Sequence, residues 1–244
     1  MSLPSWSNIT QQLITFWQSK VNPTLISLFS TIWVIGIAIA GLSLWGFAEI
    51  ADKVLDKETT AIDTSILHTL QTIHNPILDR IMIAITFLGD PWSVTIVSIL
   101  VAIILSRRQR LAGAITIGIA SAGAWGLNFL LKYVFARDRP ALWERIVDVQ
   151  YNSFPSGHAM VSLVVYGFLA YLLAIRFRKF QGTIYALATL LIFLIGLSRL
   201  YLGVHWPTDV IAGYAAGLVW LITCILSLEV VQRSLAKNKS SHSN

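Results

Sequence analysis

Long apolar runs separated by short polar or charged stretches dominate this chain. The runs fall at about residues 25–50, 77–105, 111–131, 159–175, 182–197 and 210–228. A bilayer hydrocarbon core about 30 Å thick is crossed by roughly 20 helical residues, so each run predicts one transmembrane helix. The predicted fold class is all-α, an integral membrane bundle of six transmembrane helices. Gly89-Asp90-Pro91 interrupts the second run. Glycine as a terminator, aspartate as an N-cap and proline in the first helical position predict that one helix stops there and another starts. Lipid-exposed irregular backbone is not tolerated, so the interruption is read as a break within one crossing. The first run contains Ala38-Ile39-Ala40, a small-residue pattern of the kind that signal peptidases cut. It continues through Leu42, Leu44, Trp45 and Phe47 with no basic cluster before it, which predicts a retained span.

The segments outside the runs differ in character. Residues 1–24 carry Trp6, Phe16 and Trp17 among polar positions and are read as an interfacial or flexible N-terminal segment. Residues 51–76 are mixed polar, with Ile62, Ile66, Leu70 and Ile73 at helical spacing, which predicts an amphipathic helix at the interface. Residues 233–244 are polar and are read as a disordered cytoplasmic tail. The membrane domain is therefore expected over residues 25–232.

Composition agrees with the pattern. Of 244 residues, 55% are apolar and only 12% charged, against about 25% charged in soluble domains. The net charge of +6 would suggest nucleic acid in a soluble protein, but membrane proteins concentrate Lys and Arg in cytoplasmic loops. No nucleic-acid partner is expected, and no obligate protein partner is evident. Cys224 is the single cysteine, so neither a disulfide framework nor a thiolate metal site can form.

Basic residues also orient the chain. Arg107, Arg108 and Arg110 form one short loop, Arg176, Arg178 and Lys179 another, and Arg233, Lys237 and Lys239 lie in the tail. If these regions are cytoplasmic, both termini are inside and residues 51–76, 133–157 and 199–207 share the outer face of a cell membrane. Lys132, Arg137, Arg139 and Arg145 then stand on the side where the charge rule does not want them. Basic charge there needs another reason.

Three strings on that face carry chemistry. The first runs from Lys132 to Arg139-Pro140, the second is Phe154-Pro155-Ser156-Gly157-His158, and the third runs from Ser198-Arg199 through His205 to Asp209. Lys132 and Arg139 are pure donors, a point charge and a planar fork suited to phosphate oxygens. Placing each at mid-bilayer would cost about 2.5–3.5 kcal/mol, so they belong at the boundary. Taken alone, such a string is most often a topology signal or a lipid-headgroup anchor. Arg137 and Asp138 are expected to pair locally. Ser156-Gly157-His158 opens a span, where unpaired backbone N–H groups and glycine admit an anion, although Ser156 could also be a plain N-cap. His205 and Asp209 are four apart at a helix start headed by Pro207. A carboxylate on one imidazole nitrogen frees the other to attack, and the same pair could serve as an N-cap network. Arg199 closes the preceding span and wants an anion.

Together the strings resemble the signature of the type-2 phosphatidic acid phosphatase superfamily: Lys, six residues, Arg-Pro; then Pro-Ser-Gly-His; then Ser-Arg, five residues, His, three residues, Asp. All three spacings are met. The resemblance implies a membrane lipid phosphatase with His205 as nucleophile, Asp209 as its orienting partner and His158 as general acid. Lys132, Arg139, Ser156, Gly157 and Arg199 would cradle the phosphate. It further implies a phosphohistidine intermediate, a lipid-phosphate substrate within the bilayer, and no metal or other cofactor. Phosphatidic acid, phosphatidylglycerol phosphate and undecaprenyl diphosphate all fit.

Three rivals remain. Soluble vanadium haloperoxidases share the motif set but need no spans. A transporter or flippase for anionic lipids would show internal repeats and charges at mid-bilayer, whereas here the charges collect at one face. A lipid phosphotransferase differs from a hydrolase only in its acceptor.

Overall fold

A computed structural model describes residues 31–143, 147, 149 and 151–241, and all regular structure among them is helical. Eight α-helices follow in order: α1 (Thr31–Leu55), α2 (Thr60–Gln71), α3 (Pro76–Phe87), α4 (Pro91–Arg107), α5 (Leu111–Phe135), α6 (Gly157–Arg176), α7 (Gln181–Tyr201) and α8 (Pro207–Ser241). Five of them are long and apolar enough to cross a membrane, and α3 with α4, bent by 44° at their break, counts as a sixth if the pair is one span. The break lies where Gly89-Asp90-Pro91 predicted it, with Pro91 opening α4. Residues 40–244 form one compact unit that holds every residue of the three strings.

Helix α6 is the axis of this unit, contacting α4, α5, α7 and α8. Its Val161, Val164, Val165 and Phe168 are buried with Ile117, Ala120 and Ala124 of α5 and Leu221, Cys224 and Leu228 of α8. Between membrane helices lipid is as apolar as leucine, so close packing has to supply the association. Gly213 and Gly217, one turn apart on α8, provide it. A Cβ at Gly213 would lie 2.7 Å from the Ser156 carbonyl oxygen, and one at Gly217 2.8 Å from that of Met160. Both are contacts with rigid backbone, and only glycine allows the start of α8 to lie so close to the start of α6. Large apolar side chains such as Trp45, Trp92 and Leu130 face outward, as a lipid-facing surface requires.

One expectation changes here. Helix α8 continues to Ser241, so the polar residues from Arg233 onward are helical where the sequence suggested a disordered tail. No glycine or proline follows Gly217, and Arg233 pairs with Glu229 one turn earlier at 3.6 Å, so nothing stops the helix. Helix α2 forms as expected, but Ile62 and Ile66 are exposed while Asp63 and Leu67 are buried. The apolar stripe faces away from the protein, and the aspartate turns in to meet Arg137. The expected segment 1–24 lies outside the described residues.

The basic turns 107–111 and 176–181 lie at the helix ends opposite to Lys132 and His158. At 1.5 Å per residue, the roughly 22 residues of α5 that separate Lys132 from Arg110 span about 33 Å. One bilayer core fits between the basic turns and the three strings.

Candidate active site

The three strings meet around one cavity of about 510 Å³, lined by Lys132, Arg139, Gly157, His158, Arg199 and His205. Each arrives by a different local rule. Lys132 sits in the last turn of α5, which ends when Ala136 takes a left-handed conformation at φ 44°. Arg139 follows in the irregular segment after that turn. The helix therefore stops before Pro140. Gly157 and His158 open α6 behind Ser156, whose backbone N–H donates to the Asp209 carbonyl oxygen at 2.9 Å. Arg199 is in the last turn of α7. Gly203, at φ +67°, turns the chain from there to His205, in a region of backbone space that favours glycine.

His205 Nδ1 lies 3.2 Å from Asp209 Oδ2, and Nε2 faces Arg139 Nη1 at 3.3 Å. Asp209 also accepts the Trp206 backbone N–H at 2.9 Å. With the carboxylate on Nδ1, the proton sits on that nitrogen and the Nε2 lone pair points toward the cavity. Burial, and then the positive charges of Arg139, Lys132 and Arg199, hold the His205 pKa well below the ordinary histidine value. The ring is neutral at neutral pH, the form a nucleophile requires. Activity should therefore persist as pH falls through the ordinary histidine value of about 6.5, and decline only where His205 finally gains its proton. A kcat/KM profile whose acid limb has its midpoint at or above that value would contradict the geometry.

All three cations donate to backbone oxygens or neutral side chains. Lys132 Nζ donates to the carbonyl of Asn152, and Arg139 donates to those of Tyr151 at 2.9 Å and Val204 at 2.7 Å. Arg199 Nη1 donates to Thr86 Oγ1 at 2.7 Å. Arg199 Nε and Ser156 Oγ are buried with no hydrogen-bond partner among the described residues. An unmade buried hydrogen bond costs about 1–3 kcal/mol, so both atoms fit a site built to take oxygen ligands. Among the described residues no group of three His, Cys, Asp or Glu side chains could hold a metal ion.

Arg137 corrects an expectation. It does not pair with Asp138; it bridges Asp209 Oδ1 at 2.7 Å and Asp63 Oδ2 at 2.9 Å. Both carboxylates are fully buried, so each needs a cation or donors. Asp63 also accepts the Thr208 N–H and hydroxyl, which caps α8 from α2. Asn128, Asp90 and Thr86 are further polar residues of the site that sequence reasoning passed over. Asn128 lies one turn before Lys132 and donates to the Pro155 carbonyl at 3.2 Å. A buried asparagine four residues before the lysine of a motif is a signal that could have been noticed. Asp90 stands at the N-cap of α4 as predicted, but makes no capping bond. Its carboxylate meets His158 Nε2 at 2.7 Å.

Two imidazoles and three cations gathered beside one set of helix ends are what a phosphate-handling polytopic enzyme needs. The chain is a member of the PAP2 superfamily, which it matches over residues 110–233. It is 30% identical over 177 residues to phosphatidylglycerophosphatase B of Bacillus subtilis (strain 168), covering 71% of this chain and 86% of that protein. It is 36% identical over 124 residues to the undecaprenyl-diphosphatase of Sulfolobus acidocaldarius, covering 47% of this chain and 54% of that protein. The fold superposes with a TM-score of 0.71 on the crystal structure of a transmembrane PAP2-type phosphatidylglycerolphosphate phosphatase from Bacillus subtilis, at 28% identity, over 76% of this chain and 93% of that one. The protein is thus a multi-pass membrane enzyme of the PAP2 phosphatase family.

Proposed function

We propose that the protein hydrolyses the phosphate ester or diphosphate of a membrane lipid through a phosphohistidine intermediate on His205. One observation carries this reading: Lys132, Arg139 and Arg199 surround His158 and His205 at a single cavity whose remaining wall, including Ile83, Phe87, Trp125 and Phe129, is largely apolar. Three like charges are held together best by an anion, and the apolar wall suits a hydrocarbon chain.

In the first half-reaction His205 Nε2 attacks phosphorus in line and the lipid oxygen departs with a proton from His158. Asp209 orients the attacking ring. Lys132, Arg139, Arg199, Ser156 and the N–H groups that open α6 hold the equatorial oxygens, where transition-state charge is stabilised. Water then attacks the phosphohistidine, with His158 as base, and releases phosphate. The site opens toward the extracytoplasmic face, since the basic turns at the other helix ends favour the cytoplasm.

The related names favour phosphatidylglycerol phosphate and undecaprenyl diphosphate as substrates, alongside phosphatidic acid. The test is phosphate release from each lipid by detergent-solubilised protein, with and without EDTA. Release unaffected by the chelator is expected, because side chains alone supply the charge. A strict magnesium requirement, or transfer of the phosphoryl group to an added alcohol with no free phosphate, would overturn the reading. Trapping the phosphoenzyme by alkaline quench after brief exposure to labelled lipid tests the covalent step.

A further inference from the structure

Two histidines of the cavity, not one, pair with an aspartate. The second pair joins His158 Nε2 to Asp90 Oδ1 at 2.7 Å across the break between α3 and α4. The contact brings together residues 68 apart in sequence. Asp90 is the one carboxylate among the described residues lining a cavity that otherwise carries Lys132, Arg139 and Arg199. Burial and the charges of Arg199 and Arg139 work against a proton on His158, and Asp90 is the group beside the ring that favours one. Gly89 lets this happen: a Cβ there would lie 3.1 Å from His158 Cδ2 and 2.5 Å from Ile195 Cγ2.

Resting on the phosphatase reading above, we propose that Asp90 is the positioning residue of the general acid and tunes the site to lipid phosphomonoesters over diphosphates. A protonated imidazole has two N–H donors. Asp90 accepts the one on Nε2, and Nδ1–H is left for the leaving oxygen. As the His205 Nε2–P bond forms and the P–O bond breaks, the Nδ1 proton passes to that oxygen, and a neutral ring stays bonded to Asp90.

How much the acid matters depends on what departs. An alkoxide from a monoester is about as strong a base as hydroxide, and cannot leave without a proton. A prenyl phosphate leaving a diphosphate is a far weaker base, since phosphate monoesters take their second proton only near about pH 6. It also carries negative charge that would stand beside the Asp90 carboxylate. Both effects make Asp90 essential for the first substrate class and dispensable or unfavourable for the second.

The test compares wild type with Asp90→Asn and Asp90→Glu on phosphatidylglycerol phosphate and undecaprenyl diphosphate, each in the same detergent. Asp90→Asn is expected to lose about 100-fold in kcat/KM on the monoester, within the range of a general acid's contribution. The monoester-to-diphosphate ratio should fall at least tenfold, and Asp90→Glu should restore part of it. Parallel losses on both lipids would mean that Asp90 only supports the fold. Undiminished monoester hydrolysis would mean that it does not serve the acid. Either result overturns this inference while leaving the phosphatase reading intact. Wild type inactive on both lipids would remove the reading and the inference together.

Discussion

Replacing His205 by alanine is expected to reduce phosphate release by at least about four orders of magnitude, because it deletes the atom that bonds to phosphorus and so the covalent route itself. Removing an acid or base that only moves protons costs about two to four orders, so His158→Ala should leave measurable turnover. The pair of variants separates the two roles. His205→Ala should yield no trapped phosphoenzyme. His158→Ala should still yield one when the lipid is replaced by a phosphate ester whose leaving group needs no proton. Both variants keep the cations and should still bind inorganic phosphate. Hydrolysis by purified His205→Ala at the wild-type rate would end the assignment, since no other imidazole of the cavity is bonded to Asp209.

The second large effect concerns stability. Arg137→Ala removes the guanidinium shared by Asp63 and Asp209, both fully buried, and leaves two carboxylates without their cation. Breaking a buried pair in this way costs about 3–5 kcal/mol. The exposed Lys53–Glu49 pair, with both side chains about half accessible, is the built-in control: Lys53→Ala should cost less than about 1 kcal/mol. Thermal unfolding in detergent reads the difference. Adding Asp63→Asn to Arg137→Ala should return part of the loss, because one of the stranded carboxylates disappears, and a double-mutant cycle measures that coupling. Equal stability of the Arg137→Ala and Lys53→Ala proteins would show that the bridge contributes nothing. Activity should fall as well, since Arg137 also positions the carboxylate that orients His205, while Trp206, stacked 5.4 Å from the guanidinium carbon, loses its cation partner.

Much of this molecule could be read from its linear order. The hydrophobic runs located the crossings because the bilayer imposes a fixed length on any helix that spans it. The break at Gly89-Asp90-Pro91 could be read because glycine and proline act on the local backbone. Lys132, Arg139, His158, Arg199, His205 and Asp209 could be named from three strings and their resemblance to a family signature, and the structure brings all of them except Asp209 to the cavity wall, with Asp209 directly behind His205. Arg137 was misjudged for a physical reason. An arginine beside an aspartate in sequence suggests a local pair, but its guanidinium found carboxylates 74 and 72 residues away. Asp63 was hidden in the same way, on a helix whose isoleucine stripe suggested that the other face mattered.

The chain by itself determined where it crosses the membrane and which side chains could handle a phosphate, because bilayer thickness, helix pitch and the capping preferences of single residues act over a few neighbours. Only the tertiary structure decided who holds those side chains in place: Asp63 and Arg137 behind Asp209, Asp90 beside His158, Thr86 on Arg199, Asn128 under the loop before Gly157. Burial is the reason. A charge or amide removed from water must take the nearest complementary group in space, and that neighbour is chosen by how the helices pack.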